Sequence, residues 1–119
     1  MYTIPLESNI EKLKGNSVVQ ICYTVNSVSV FFENIGFIGI EGSFLFTDGN
    51  KHVNVDDFFP LKEDWGLLHL LEKKLINIEI DSERTDLTLY FEENKSLTLF
   101  GNPQYESYSI NIDGRRIIV

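Results

Sequence analysis

Two histidines, His52 and His69, and one cysteine, Cys22, are the side chains best suited to acid/base or nucleophilic work in this 119-residue chain. Catalysis by a triad needs a nucleophile, a base and an orienting acid brought together. Cys22 shares a strand phase with Gln20 and Thr24 and has no Cys-His-Asp order around it, so it reads as a small strand residue rather than a nucleophile. His69 falls on the polar side of an expected helix and His52 in an expected outer strand, both ordinary surface or boundary positions. Asp48, Asn50, His52, Asn54 and Asp56 stand at every second position and resemble the opening of a calcium loop. Such a loop needs glycine at its sixth position, which is Val53 here, and the wet face of a hairpin strand has the same alternation. The sequence has no phosphate-cradling glycine motif and no zinc pair. The expectation is a non-enzyme with no cofactor and no metal.

Binding chemistry is better represented. Asp56-Asp57-Phe58-Phe59-Pro60, followed by Glu63-Asp64-Trp65, combines carboxylates with large aromatics in an irregular stretch. Rings supply buried contact area and carboxylates supply steering, the combination found in interface anchors. The alternative is that Phe58, Phe59 and Trp65 plug the core while the acids stay in water. Asp56, Asp57, Glu63, Asp64 and Trp65 are the first candidates for partner binding, with Glu92 and Glu93 second.

The elements that must hold these residues are mostly strands. In the stretch 76–101, Ile76, Ile78 and Ile80 alternate with Asn77, Glu79 and Asp81; Leu87, Leu89 and Phe91 repeat the pattern, as do Leu97 and Leu99. This predicts a three-strand meander whose wet side carries Glu79, Asp81, Glu83, Asp86, Glu92 and Glu93 against a single Arg84. Earlier, Val19, Ile21, Tyr23 and Val25 predict a strand, and Val28, Val30 and Phe32 the next. The run 35–46 is apolar on both phases with Gly36, Gly39 and Gly42 through it, which predicts one central, strongly bent strand. Asp48-Gly49 and Asp113-Gly114 are hairpin turns, the second within a strand pair that starts from a strand over 105–112. Two short helices are expected. Ser8 and Glu11 form a capping box for one, closed by Gly15. Asp64 caps the other, which carries Trp65, Leu68 and Leu71 on one side with Leu67 and Leu70 beside them.

The halves also match each other. Leu13 with Val19 and Ile21 falls on Leu71 with Ile76 and Ile78, Val28 to Glu33 falls on Leu87 to Glu92, and Ile38 to Gly42 falls on Leu97 to Gly101. The fold class expected is therefore mainly β (α+β). One domain over 1–119 holds two helix-plus-three-strand meander repeats, about 6–50 and 64–110, around one core.

Composition sets the outer bounds. With 43% hydrophobic and 13% aromatic residues the chain can bury a core without disulfides. One cysteine permits no internal bridge, and neither a leader-like segment nor an apolar run of membrane-spanning length is present, so the expectation is a cytoplasmic protein with no membrane contact. A net charge of −8 argues against direct nucleic-acid binding, which needs a basic footprint. It permits the reverse, an inhibitor that covers the basic face of another protein such as a nuclease, and it also fits simple solubility.

Tyr105-Glu106-Ser107-Tyr108, followed by Ile110, Asp113-Gly114 and Ile117-Ile118-Val119, resembles the C-terminal signature of a small uncharacterised bacterial β-rich domain family. The likeness extends to Leu71, to Leu87 through Glu92 and to Leu97-Thr98-Leu99. Tyr108 stands where tryptophan is common, and the glycine usual near Lys73 is missing. Small acidic domains of this kind resemble the immunity proteins of contact-dependent inhibition and related polymorphic toxin systems. The resemblance implies a protein that binds and neutralises a cognate toxin. Separately, the edge strands expected at 51–55 and the C-terminus leave room for a homodimer beside a monomer. The other reading is a β module whose small-molecule or peptide ligand sits in a concavity lined by Tyr23, Phe32, Phe37 and Tyr90.

Overall fold

β-Branched and aromatic residues alternate with polar ones in ten short runs, and each run is a strand in the computed structural model, which describes residues 2–56 and 63–119. In chain order they are β1 (Val18–Tyr23), β2 (Val28–Phe32), β3 (Gly36–Ile40), β4 (Phe44–Asp48), β5 (Lys51–Val55), β6 (Leu75–Ile80), β7 (Leu87–Phe91), β8 (Lys95–Leu99), β9 (Tyr108–Ile112) and β10 (Arg115–Ile118). They form two five-stranded antiparallel sheets, ordered β1-β2-β3-β9-β10 and β5-β4-β8-β7-β6. The inward residues of both sheets make one core: Val28, Val30, Ile38 and Ile110 from the first meet Phe46, Leu87, Leu89 and Leu97 from the second. Phe32 of β2 stacks on Phe91 of β7 with ring centroids 6.3 Å apart.

Each sheet is a three-strand meander completed by a hairpin from the other half of the chain. β3 receives β9, with Ile38 opposite Ile110, and β8 receives β4, with Leu97 opposite Phe46. The expected repeat unit, a helix followed by three strands, is therefore corrected. Each half supplies five strands, and the last two cross to the opposite sheet. The run 35–46 is likewise not one bent strand. It is β3 and β4 in different sheets, with the crossing made at residues 41–43.

Neither expected helix forms as such. Ile10–Leu13 and Leu67–Leu70 are single 3-10 turns, and the second replaces the helix expected to start at Asp64. Their buried residues explain this: Ile10 with Leu13, and Leu67 with Leu70, stand three apart, the spacing that a 3-10 turn places on one side. Ser8 does not cap the first turn. Asn9 holds the cap position and makes no side-chain bond there. Leu68, expected on the apolar side of the second helix, is exposed.

The apolar phase is shifted at the start of both meanders. A bulge between Val18 and Gln20 buries Val18 and turns Val19 outward, and a bulge between Leu75 and Asn77 buries Leu75 and turns Ile76 outward. Val19 and Ile76 are 55% and 58% exposed. One extra residue on a strand moves every side chain before it to the other face, so the simple alternation fails at these two positions.

The strand expected over 105–112, β9, is shorter than expected. It begins at Tyr108, and Tyr105 lies before it, 53% exposed, in an isolated bridge with Asn102. Tyr108 is buried, and its hydroxyl donates to the Thr85 carbonyl at 2.6 Å, a bond from the first sheet to the β6–β7 loop of the second. Burial, with Asp86 and Asp81 beside it, pushes this phenol well above its ordinary range, so it remains a donor.

The crossings touch. Glu41 N and Gly42 N both donate to the Ser107 carbonyl, at 2.9 and 2.8 Å. A Cβ on Gly42 would lie 2.9 Å from Ser107 Cβ and 3.1 Å from its Cα. Gly42→Ala should therefore lose about 1–3 kcal/mol of stability, as overpacking in a closed interior does, read as a lower urea midpoint with an unchanged slope.

Candidate functional site

At one end of the second sheet the 3-10 turn Leu67–Leu70 packs beside the β4–β5 hairpin and leaves a depression of about 340 Å³. Phe46, Val53 and Trp65 give it apolar walls, while Asp48, Glu63, Asp64, Lys51 and His69 supply its charges and polar groups. The Asp64–Gly66 turn that presents Trp65 is held from three directions. Asp64 Oδ1 accepts from Gly66 N at 3.0 Å, and its carbonyl accepts from Leu67 N at 3.1 Å. The same carbonyl accepts the Tyr23 hydroxyl of β1 at 2.9 Å. Burial, reinforced by the Asp64 charge, pushes the Tyr23 phenol above its ordinary range and keeps it a donor. Trp65 and Gly66 both have positive φ, 54° and 79°, which rotates the indole out of the helical path expected for it. Its ring meets Phe44 edge to face, with centroids 5.7 Å apart.

Asp48 is the polar centre of this end. Its carboxylate faces Lys95 at 3.3 Å, its register partner across β4 and β8, and His69 Nδ1 at 3.4 Å. Partial desolvation acts to raise its pKa, but hydrogen bonds and charge from His69 and Lys95 outweigh this and hold the carboxyl below its usual range.

Of the residues singled out from the sequence, Glu63, Asp64 and Trp65 come together here. Asp56 is exposed just after β5 and is not part of the wall. Asp57 lies outside the described residues, as do Phe58, Phe59 and Pro60. Glu92 and Glu93, in the β7–β8 turn, are engaged within the protein. Glu92 Oε1 accepts Lys74 N at 2.7 Å, and Glu93 pairs with Lys73 at 2.6 Å, which lowers its carboxyl below the ordinary range. Asp48, Phe46, Val53 and His69 were not among the partner-binding candidates. The signals for Asp48 were its hairpin turn with Gly49 and the first place in the calcium-like alternation, and neither shows its pairing with Lys95, which spans the two halves of the chain.

The acidic side of the meander is also occupied by its own backbone. Asp81 Oδ1 accepts Thr85 N at 2.9 Å and Asp86 N at 3.1 Å, and Asp86 Oδ1 accepts Gly101 N at 3.0 Å. Arg84 turns to the N-terminal segment, donating to the Ile4 and Pro5 carbonyls at 2.6 and 2.9 Å. The concavity expected from Tyr23, Phe32, Phe37 and Tyr90 is not formed. Phe32 is core, Phe37 stacks on Phe31 at 4.7 Å, and Tyr90 lies on the outer face of β7 facing Glu79. The calcium-like spacing from Asp48 to Asp56 is the β4–β5 hairpin. Among the described residues, no helix is long and apolar enough to cross a membrane.

No family model, curated protein or solved structure matches the chain.

The hydrogen bonds from Asp86 and Thr85 hold the Asp81 carboxyl below its usual range. A depressed carboxyl contributes stability that is present above the unfolded value of about 3.9 and is lost as pH falls through the folded value. Asp81→Asn should therefore flatten the acid limb of the stability curve below about pH 4. The check is urea unfolding of both proteins from pH 2 to 6.

Proposed function

We propose that this chain is a non-enzymatic immunity protein that binds a cognate bacterial toxin domain one-to-one and neutralises it by covering a basic surface. The observation that carries the reading is the convergence of Glu63, Asp64 and Asp48 around Trp65 at a depression held in shape by backbone and tyrosine hydrogen bonds. An apolar wall at Phe46 and Val53 with the exposed carboxylates of Glu63 and Asp64 at its rim suits a lysine or arginine side chain: the wall takes its aliphatic stem, and the acids take its charge. The overall charge of −8 acts at longer range, drawing a basic partner in before contact.

Neutralisation by coverage needs no chemistry from the chain, only a rigid patch. A toxin that acts on nucleic acid has to keep a basic surface for phosphates, and an acidic inhibitor competes for that surface directly. The reading places the protein in the cytosol beside its partner. β5 and β10, one outer strand of each sheet, offer the route by which two copies could pair.

Co-expression with the reading frame encoded immediately upstream should give a complex that co-purifies, and growth should depend on this chain. A harmless neighbour and no complex would remove the toxin reading. Glu63→Lys should slow association by about tenfold at low ionic strength, with the two proteins converging as salt is added. Stopped-flow rates that are insensitive to salt would count against electrostatic capture.

A further inference from the structure

A larger groove opens on the other side of the second 3-10 turn, where β1 meets the lead-in to β6. Its volume is about 810 Å³, and Ser17, Val18, Val19, Glu33, Leu71 and Glu72 line it. The two chain segments are stitched at its base. Gly15 N donates to the Leu75 carbonyl, Leu75 N to Asn16, Val18 N to Lys73 and Glu72 N to Val18, all between 2.8 and 3.0 Å. Past Val18 no backbone bond joins them among the described residues, although the Leu67–Leu70 turn stays beside β1 and the Tyr23 hydroxyl reaches the Asp64 carbonyl. β1 is one of the two outer strands of its sheet, so the backbone beyond this point has a side with no strand neighbour among the described residues. The bulge at Val18 turns Val19 into the groove opening as an exposed apolar side chain.

The groove has two carboxylates and no basic side chain in its wall. Among the described residues neither Glu33 nor Glu72 belongs to an ion pair. Lys73, next in sequence to Glu72, is committed to Glu93.

The protein contains its own comparison for Glu33. Glu33 N donates to the Ser17 carbonyl just after β2, and Glu92 N donates to the Lys74 carbonyl just after β7, in matching registers, with Phe32 opposite Val18 and Phe91 opposite Leu75. At the second place the carboxylate folds back to accept Lys74 N at 2.7 Å. At the first, the carboxylate stands at the groove wall instead.

We infer that this groove is a second docking surface, and that its occupant is an extended segment of a partner protein that carries basic residues next to apolar ones. The segment adds along the free edge of β1, a lysine or arginine sits between Glu33 and Glu72, and an apolar neighbour covers Val19 and Leu71. Backbone pairing supplies affinity in this mode of recognition, and the side chains in the groove select sequence. The inference stands apart from the toxin reading, because it rests on the groove alone and is tested with a peptide.

The probe is the acetylated, amidated hexapeptide Lys-Val-Lys-Val-Lys-Val, titrated into the full chain and followed by amide chemical shifts. Shifts confined to 17–23, 33 and 71–73 are expected. The double substitution Glu33→Gln with Glu72→Gln should weaken binding about fivefold to tenfold, the scale of two partly exposed charge contacts. Glu7→Gln with Glu83→Gln, which removes the same charge elsewhere, should leave affinity unchanged. The Glu-Val counterpart and a peptide N-methylated on its valines should both fail to bind. Shifts spread over the whole acidic surface, equal weakening by the two double variants, or binding of the Glu-Val or N-methylated peptide would each overturn the assignment.

Discussion

One carbonyl, that of Ser107, joins the two places where the chain changes sheets. It accepts both Glu41 N and Gly42 N, and the absence of a side chain on Gly42 lets the two strands of backbone lie against each other. Because each sheet is finished by strands from the other half of the sequence, this contact fixes which hairpin reaches which meander. The core depends on the result: Ile38 and Ile110, or Phe46 and Leu97, are neighbours only after both crossings are made. The bond from Tyr108 of β9 to Thr85 in the β6–β7 loop lies close to the same point in the chain. It gives the two sheets a polar tie in addition to their shared apolar interior.

Electrostatics divide the carboxylates into two populations with different physical roles. Asp81, Asp86 and Glu92 accept backbone N–H groups at turns, where a charged acceptor forms a stronger bond than a neutral one. They shape the loops between β6 and β8 and leave little charge directed at a partner. Glu63, Glu33 and Glu72 border open depressions, so their fields reach solvent and whatever approaches through it. A net charge taken from the sequence adds both populations together, and only the second bears on recognition.

Strand positions were legible because a two-sided sheet imposes a period of two on the sequence, visible from Val28 to Phe32 and from Leu87 to Phe91. The pairings β3 with β9 and β4 with β8 were not, because non-local registers leave no local pattern. The bulges at Val18 and Leu75 misled the alternation by one residue, since Val19 and Ile76 are as apolar as the residues they displace. Leu67 and Leu70 were read as part of a helix because i, i+3 spacing is shared by α and 3-10 geometry. In the site, Glu63, Asp64 and Trp65 were visible as an acid-aromatic cluster. Asp48 and His69 joined them only through tertiary packing, and the roles of Glu92 and Glu93 as internal partners depend on a turn and a lysine that periodicity does not place.

The position of β9 also bears on how such a chain reaches its final state. Ile38 pairs with Ile110, a separation of 72 residues (110 − 38), so the first meander has an open inner edge until the sequence through Ile112 has arrived. Closing a loop of that length is an entropic cost that comes before any reward from packing. During synthesis, the N-terminal strands would wait unsealed while the second meander forms, and the two sheets would then complete each other almost together. A fold arranged this way has no finished half to rest on, which favours a single cooperative transition and slow acquisition of structure over stepwise assembly.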